Sequence, residues 1–204
     1  IISQIQLMKE VLKAFEMPVF EKDGFEADDL VATIATKAKG KAQVFIVSGD
    51  LDNLQLVDGN VRVYTLGKGV KDSVVYDVQK VVERFGVQPR QMNAFKALTG
   101  DVSDNIPGVP GIGKTTAAVL IQQFGNIENL YSELATDTAV LKPKVKEALK
   151  QNKESAFLSL DLVKTKTDVD IPFSVEEAKF GNFNQENVKK TFNQLGFYSL
   201  VNKL

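Results

Sequence analysis

The 204-residue chain contains no cysteine and no histidine. These absences remove a Cys nucleophile, a Ser-His-Asp triad and a histidine general base from the chemistry open to it. They also remove the ligands that ordinary zinc sites use, so a bound metal would be hard and oxygen-liganded, Mg²⁺ or Mn²⁺. A cysteine-free chain is in keeping with a reducing compartment. No apolar run is long enough to span a membrane, and no basic-then-apolar leader opens the sequence. There is no internal repeat and no low-complexity linker. The first residue is Ile1, not Met, and the expectation is a fragment.

What is present is a set of seven clustered carboxylates. They are Glu26, Asp28 and Asp29 in GFEADDL, Asp50 and Asp52 in VSGDLDNLQL, and Asp101 and Asp104 in LTGDVSDNIPG. Two carboxylates about 5 Å apart repel by roughly 3 kcal/mol at an effective dielectric near 20, so such clusters are tolerated chiefly where divalent ions neutralise them. Each has an ordinary structural alternative. EADD is a good helix first turn, and GDLDN and GDVSDN are good turns. Together, at element ends in a chain without His, they point to a two-metal phosphoryl site that needs no side-chain base. Neutralising all seven turns the net charge of −1 into +6, which suits a phosphodiester substrate; an ordinary mixed surface is the alternative.

The length of 204 residues suits one large domain or two small ones, and a hydrophobic content of 44 % can supply a core. The first half reads as α/β. The spacing predicts a helix over 4–15 with Ile5, Met8, Val11, Leu12 and Phe15 on one face, a short strand at 18–20, and a helix over 27–38 that Gly40 ends. The run at 42–48 predicts a buried parallel strand, and the alternation at 61–66 a strand nearer an edge. Strand-helix-strand order predicts a parallel sheet with right-handed crossovers. Beyond residue 77 the pattern is helical: 77–85 with Asp77 as N-cap and Gly86 as stop, 88–98 with Pro89 at its start, 114–124, then helices near 126–134, 143–163 and 184–195. The composition shift predicts a subdomain boundary between 76 and 77.

GVPGIGKT at 108–115 fits the P-loop pattern, which would put Lys114 on nucleotide phosphates and Thr115 on Mg²⁺. The context argues against an NTPase: TGDVSDNIP precedes it instead of a strand, Pro107 and Pro110 interrupt it, and the Walker-B-like AFLSLD at 156–161 falls in a predicted helix. A helix-hairpin-helix over about 88–124 accounts better for the segment. Its backbone N–H groups would bind a phosphate without reading sequence, Gly108, Gly111 and Gly113 would allow close approach and positive φ, and Lys114 would add a charge.

FEADDLVATIA, VSGDLDNLQLV and ALTGDVSDNIPGVPGIGKTTA, in this order, resemble the 5′-nuclease domain of bacterial DNA polymerase I, in the flap endonuclease superfamily. The resemblance extends through LKPKVKEAL to the terminal LGFYSLVNKL. It implies a PIN-like α/β nuclease core over 1–76 and a helical helix-3-turn-helix DNA-binding subdomain over 77–204. It implies 5′→3′ exonuclease and flap endonuclease activity on DNA in replication and repair, in a monomeric, bacterial cytoplasmic, nucleoid-associated protein. Fusion to polymerase domains is left open. By motif position, Glu26, Asp28 and Asp29 would serve mainly a first metal site, and Asp50, Asp52, Asp101 and Asp104 mainly a second. Gly108, Val109, Gly111, Ile112, Gly113, Lys114 and Thr115 would hold duplex backbone, with a K⁺ ion on loop carbonyls. The family's earlier strand, its metal-binding Asp and its helical arch have no counterpart here. The first metal site is accordingly expected to be incomplete, and the alternative is a DNA-binding fragment without catalysis.

Overall fold

A computed structural model describes residues 2–66 and 73–204. A small sheet lies at the centre of the first half. Strand β1 (Val44–Val47) pairs in parallel with β2 (Val61–Thr65), and β2 pairs antiparallel with β3 (Val74–Tyr76), in the order β1-β2-β3. The sheet is therefore mixed rather than purely parallel, and β3 is a strand the sequence pattern did not signal. The expected roles of the two longer strands are exchanged. The run at 42–48 becomes the edge strand β1, where Ile46 is buried while Phe45 and Val47 are 52 % and 65 % exposed. The alternating segment becomes the centre, with Val61 and Val63 buried beneath and Arg62 facing out. A central strand covered on one face alternates, because only its inner side chains meet the core.

Helix α1 (Ile2–Ala14) leaves Ile5 and Met8 exposed, while Val11 and Phe15 pack on α9 (Gln185–Gln194). No strand forms at 18–20; Phe20 instead stacks edge-on against Phe173. Helix α2 (Ala27–Ala38) buries Leu30, Ala32, Thr33, Ala35 and Ala38. The next units follow the local signals closely. Helix α3 (Val78–Phe85) is capped by Asp77, which accepts from Lys80 N at 2.9 Å, and stopped by Gly86 at φ 73°. Pro89 opens a 3₁₀ turn that leads into α4 (Met92–Thr99), and α5 (Lys114–Phe124) and α6 (Ile127–Ala135) come after the glycine-rich loop. The long helix expected over 143–163 is two, α7 (Pro143–Gln151) and α8 (Lys153–Leu162). Asn152 breaks it: its side chain donates to Ala148 O at 2.8 Å, competing with the helical ladder. A short α10 (Tyr198–Val201) closes the fold.

One hydrophobic core runs from the sheet into the helices, joining Ile46, Leu54, Val63 and Tyr76 to Leu98, Leu120, Leu130 and Leu149. The chain after α8 then returns along α2. Lys166 N donates to Asp29 Oδ1 at 2.8 Å, Val169 N to Thr33 Oγ1 at 3.1 Å, and Lys37 Nζ to Ile171 O at 2.8 Å.

Candidate active site

Three element ends meet where the acids lie. The first cluster opens α2. The second follows β1, in the 3₁₀ turn Leu51–Leu56 that crosses to the parallel strand β2. The third sits between α4 and α5, on a tight loop closed by a bridge between Asp101 and Ile106. Glycine makes that loop compact. At Gly108, φ is +65°, and a Cβ would stand 2.3 Å from Gly100 N. Only two facing glycines allow this approach.

Six of the seven acids line one cleft of about 510 Å³: Glu26, Asp28, Asp29, Asp50, Asp52 and Asp104, with Lys164, Thr165 and Lys166 on its rim. Asp101 lies in an adjoining cleft of about 560 Å³, which shares Asp50, Asp52 and Asp104 with the first and is also lined by Lys96 and Lys114. Carboxylate oxygens of Asp52, Asp101 and Asp104 all fall within 4.8 Å of one another. That is a hard-oxygen donor set of the kind Mg²⁺ and Mn²⁺ take. Asp50 is outside this tightest group. It caps the 3₁₀ turn, accepting from Asp52 N at 2.8 Å.

The members of the first cluster are engaged differently. Asp29 accepts from the backbone N–H of Lys166 and, at 3.4 Å, from that of Glu26. Asp28 Oδ1 accepts from Asn53 Nδ2 at 3.1 Å. Asn53 is 2 % exposed, and its Oδ1 is a buried acceptor without a donor among the described residues. Such an orphan beside a carboxylate fits a site completed by a cation or its water.

Lys96, on α4, enters the third cluster. Its ammonium donates to Asp101 Oδ2 at 2.7 Å and to Asp52 Oδ1. Burial pushes the Asp52 carboxyl up, outweighing Lys96, and Asp50 and Asp104 push the same way. Asp101 has the opposite shift. Hydrogen bonds from Lys96 and then Ser103 hold it at about 2. Burial works against the charge on Lys96, but its bonds to Asp101 and Asp52 prevail and its pKa is raised. Lys96, Asn53 and the Lys164–Lys166 rim were not among the residues expected from sequence. A signal existed for Lys96: it is the one charge in the otherwise apolar and polar-neutral helix MNAFKALT.

The glycine-rich loop departs from a P-loop. Helix α4 and an isolated bridge lead directly into it, with no strand between α4 and the loop, and AFLSLD lies inside α8. Gly111 has φ +87°, but Gly113 is the N-cap of α5 at φ −88° and does not use the positive region. Gly108 is spent on internal packing: its N–H donates to Ser159 Oγ at 3.0 Å, and its carbonyl accepts from Ser155 Oγ at 2.7 Å. Val109 and Ile112 are buried, 3 % and 4 % exposed, so their side chains belong to the core. Gly111, Gly113, Lys114 and Thr115 are exposed at the α5 N-terminus.

The comparisons with known proteins agree with one another. Residues 1–86 match the N-terminal resolvase-like domain of 5′-3′ exonucleases, and residues 87–186 match their C-terminal SAM fold. DNA polymerase I of Bacillus caldotenax is 38 % identical over 202 residues, 98 % of this chain, and the chain spans 23 % of that relative's length. Among solved structures, the D15 protein of T5, co-crystallised with metal ions, superposes with a TM-score of 0.65 at 28 % identity. That match covers 78 % of this chain and 59 % of the T5 protein. The catalytic core of Rad2, in complex with a DNA substrate, shares the fold at 20 % identity and a TM-score of 0.61, over 96 % of this chain and 65 % of Rad2. With both consecutive domains of the family matched along the chain, and with a PIN-like core leading into a helical subdomain, this protein belongs to the 5′-3′ exonuclease family of nucleases.

Proposed function

We propose that the chain is the 5′-nuclease portion of a DNA polymerase I-type protein, hydrolysing DNA phosphodiesters 5′→3′ and at 5′ flaps in replication and repair, in the bacterial cytoplasm and as a monomer. The observation that carries this is the convergence of three acid clusters, distant in sequence, on two adjoining clefts that share Asp50, Asp52 and Asp104. Mg²⁺ or Mn²⁺, when bound, supplies an activated water and stabilises charge on the reacting phosphoryl oxygens. Glu26, Asp28 and Asp29 serve mainly one ion, and Asp50, Asp52, Asp101 and Asp104 mainly a second. The division into 1–76 and 77–204 assigns the first two clusters to the nuclease core and the third to the helical part.

The chain's own groups then bind and orient the strand. Gly111, Gly113, Lys114 and Thr115 present backbone N–H groups and one ammonium to duplex phosphates, and a K⁺ ion on loop carbonyls would add to that grip. Because Lys114 also lines the cleft of Asp101 and Asp104, a phosphate held there leads the backbone into the acidic site. The metal ions crystallised with the T5 protein and the DNA bound to Rad2 support this reading.

The test is a 5′-labelled flap duplex incubated with Mg²⁺. Cleavage by this chain, abolished in Asp50→Asn with DNA binding retained, is expected. Undiminished cleavage in that variant overturns the role of Asp50. One observation favours a second reading, a DNA-binding fragment without catalysis: Asp29 already uses its oxygens on two backbone N–H groups. Flap binding without any Mg²⁺- or Mn²⁺-dependent cleavage would select that reading.

A further inference from the structure

Lys96 is placed where a metal ion in the third cluster would act. Its ammonium hydrogen-bonds two of the three carboxylates, Asp52 and Asp101, whose oxygens group with those of Asp104 within 4.8 Å. It is no incidental surface ion pair, because the Lys96 side chain is 15 % exposed and those of Asp52 and Asp101 are 21 % and 22 % exposed. The helix that carries it is fixed by buried Met92, Phe95, Ala97 and Leu98, so the lysine stem is delivered to this spot by the core. Three mutually repelling acids thus have an internal counter-ion while no divalent ion is bound. A lysine, a flexible point charge on a four-carbon stem, can give up such a position without moving its helix.

We propose that Lys96 is an exchangeable counter-ion for the second metal site: it holds Asp52 and Asp101 together in the metal-free protein and must withdraw from them when a divalent cation binds. The inference rests on the metal-site reading above. Lys96 is a positioning residue here, and it sets metal affinity by competition. Lys96 itself borders the adjoining cleft of about 560 Å³, together with Thr99 and Ser103, and that open space gives the ammonium room to leave the two carboxylates. Competition of this kind keeps the site assembled at low metal while raising the divalent-ion concentration at which it fills.

Calorimetric titration of the 204-residue chain with Mn²⁺ tests it. Lys96→Met is expected to bind Mn²⁺ about tenfold more tightly at this site and to have a lower Tm than wild type without metal. Equal or weaker affinity in a folded Lys96→Met overturns the proposal, since a merely structural lysine would loosen the site when lost. A second measurement uses the wild-type protein. Reductive methylation of Lys96, followed by mass spectrometry, should be slow without metal and accelerate when Mn²⁺ is added. A rate unchanged or slowed by Mn²⁺ overturns the proposal. Failure of both proteins to bind Mn²⁺ overturns the metal-site reading itself, and this inference with it.

Discussion

Asn53 reaches across from the 3₁₀ turn to Asp28 at the start of α2, donating to Oδ1 at 3.1 Å. This bond ties the second acid cluster to the first and fixes the orientation of Asp28. The same amide leaves its own buried oxygen without a donor among the described residues, a cost that an ion or its water in the cleft would offset. Asn53→Ala should lower stability by about 1 kcal/mol and weaken Mg²⁺-induced stabilisation. Thermal denaturation with and without Mg²⁺ checks both. Unchanged metal stabilisation would reduce Asn53 to a structural link.

Asp104 is exposed and stands close to Asp52 and Asp101, so its charge adds repulsion whenever no cation is present. Asp104→Asn should stabilise the metal-free protein by about 1 kcal/mol, well under the Coulomb upper bound because water screens the group. It should also reduce Mg²⁺-dependent flap cleavage at least tenfold. A variant less stable than wild type in chelator would contradict the repulsion argument.

Much of this fold was legible because its signals are local. Asp77 and Gly86 bracket α3 as caps do in any sequence, and the period of 27–38 needs only one apolar face. The exchange of central and edge strands was hidden. Phe45 and Val47 are apolar yet exposed, and whether a strand is paired on both sides is decided by segments far from it. Asn152 broke a helix that periodicity alone would continue, through a side-chain bond competing with the ladder. In the candidate site, the acids stood out by spacing, but their partners did not. Lys96 lies 44 residues from Asp52, and Lys166 lies 137 from Asp29; only the return of the chain along α2 and the packing of α4 bring them together.

The two hairpin glycines with positive φ should respond differently to alanine. In Gly108→Ala the new methyl meets the Gly100 backbone, and stability should fall by about 3 kcal/mol. In Gly111→Ala nothing among the described residues lies within 4 Å, so the cost is that of the left-handed backbone alone, about 1 kcal/mol. Urea denaturation distinguishes them, and equal losses would show that the Gly100 contact is not what constrains Gly108.

Tyr131 gives a pH signature away from the site. Its hydroxyl donates to Leu149 O at 3.1 Å in the core, and burial pushes its pKa up to about 12. A raised folded pKa means the protonated form is favoured by folding. The contribution is therefore complete below the unfolded value near 10 and is lost as pH rises from 10 through 12. Two units correspond to about 2–3 kcal/mol. Tyr131→Phe should cost stability at pH 8 through the lost hydrogen bond, and should flatten the decline between pH 10 and 12. A wild-type decline matched by the variant would assign the alkaline loss to lysines instead.

Lys114 heads α5 at the exposed end of the hairpin, on the border of the acidic cleft. A phosphate contact there releases a counterion, so binding depends on salt. Lys114→Ala should weaken affinity for duplexes of unrelated sequence by the same factor and reduce the slope of log affinity against log salt by about 0.9. Fluorescence anisotropy across a salt series, in Ca²⁺ or chelator to prevent cleavage, measures both quantities. A phosphate-binding lysine changes slope and affinity together. One that only shapes the hairpin would shift affinity and leave the slope as it was, and that outcome would move the duplex-binding role to the backbone N–H groups of α5 alone.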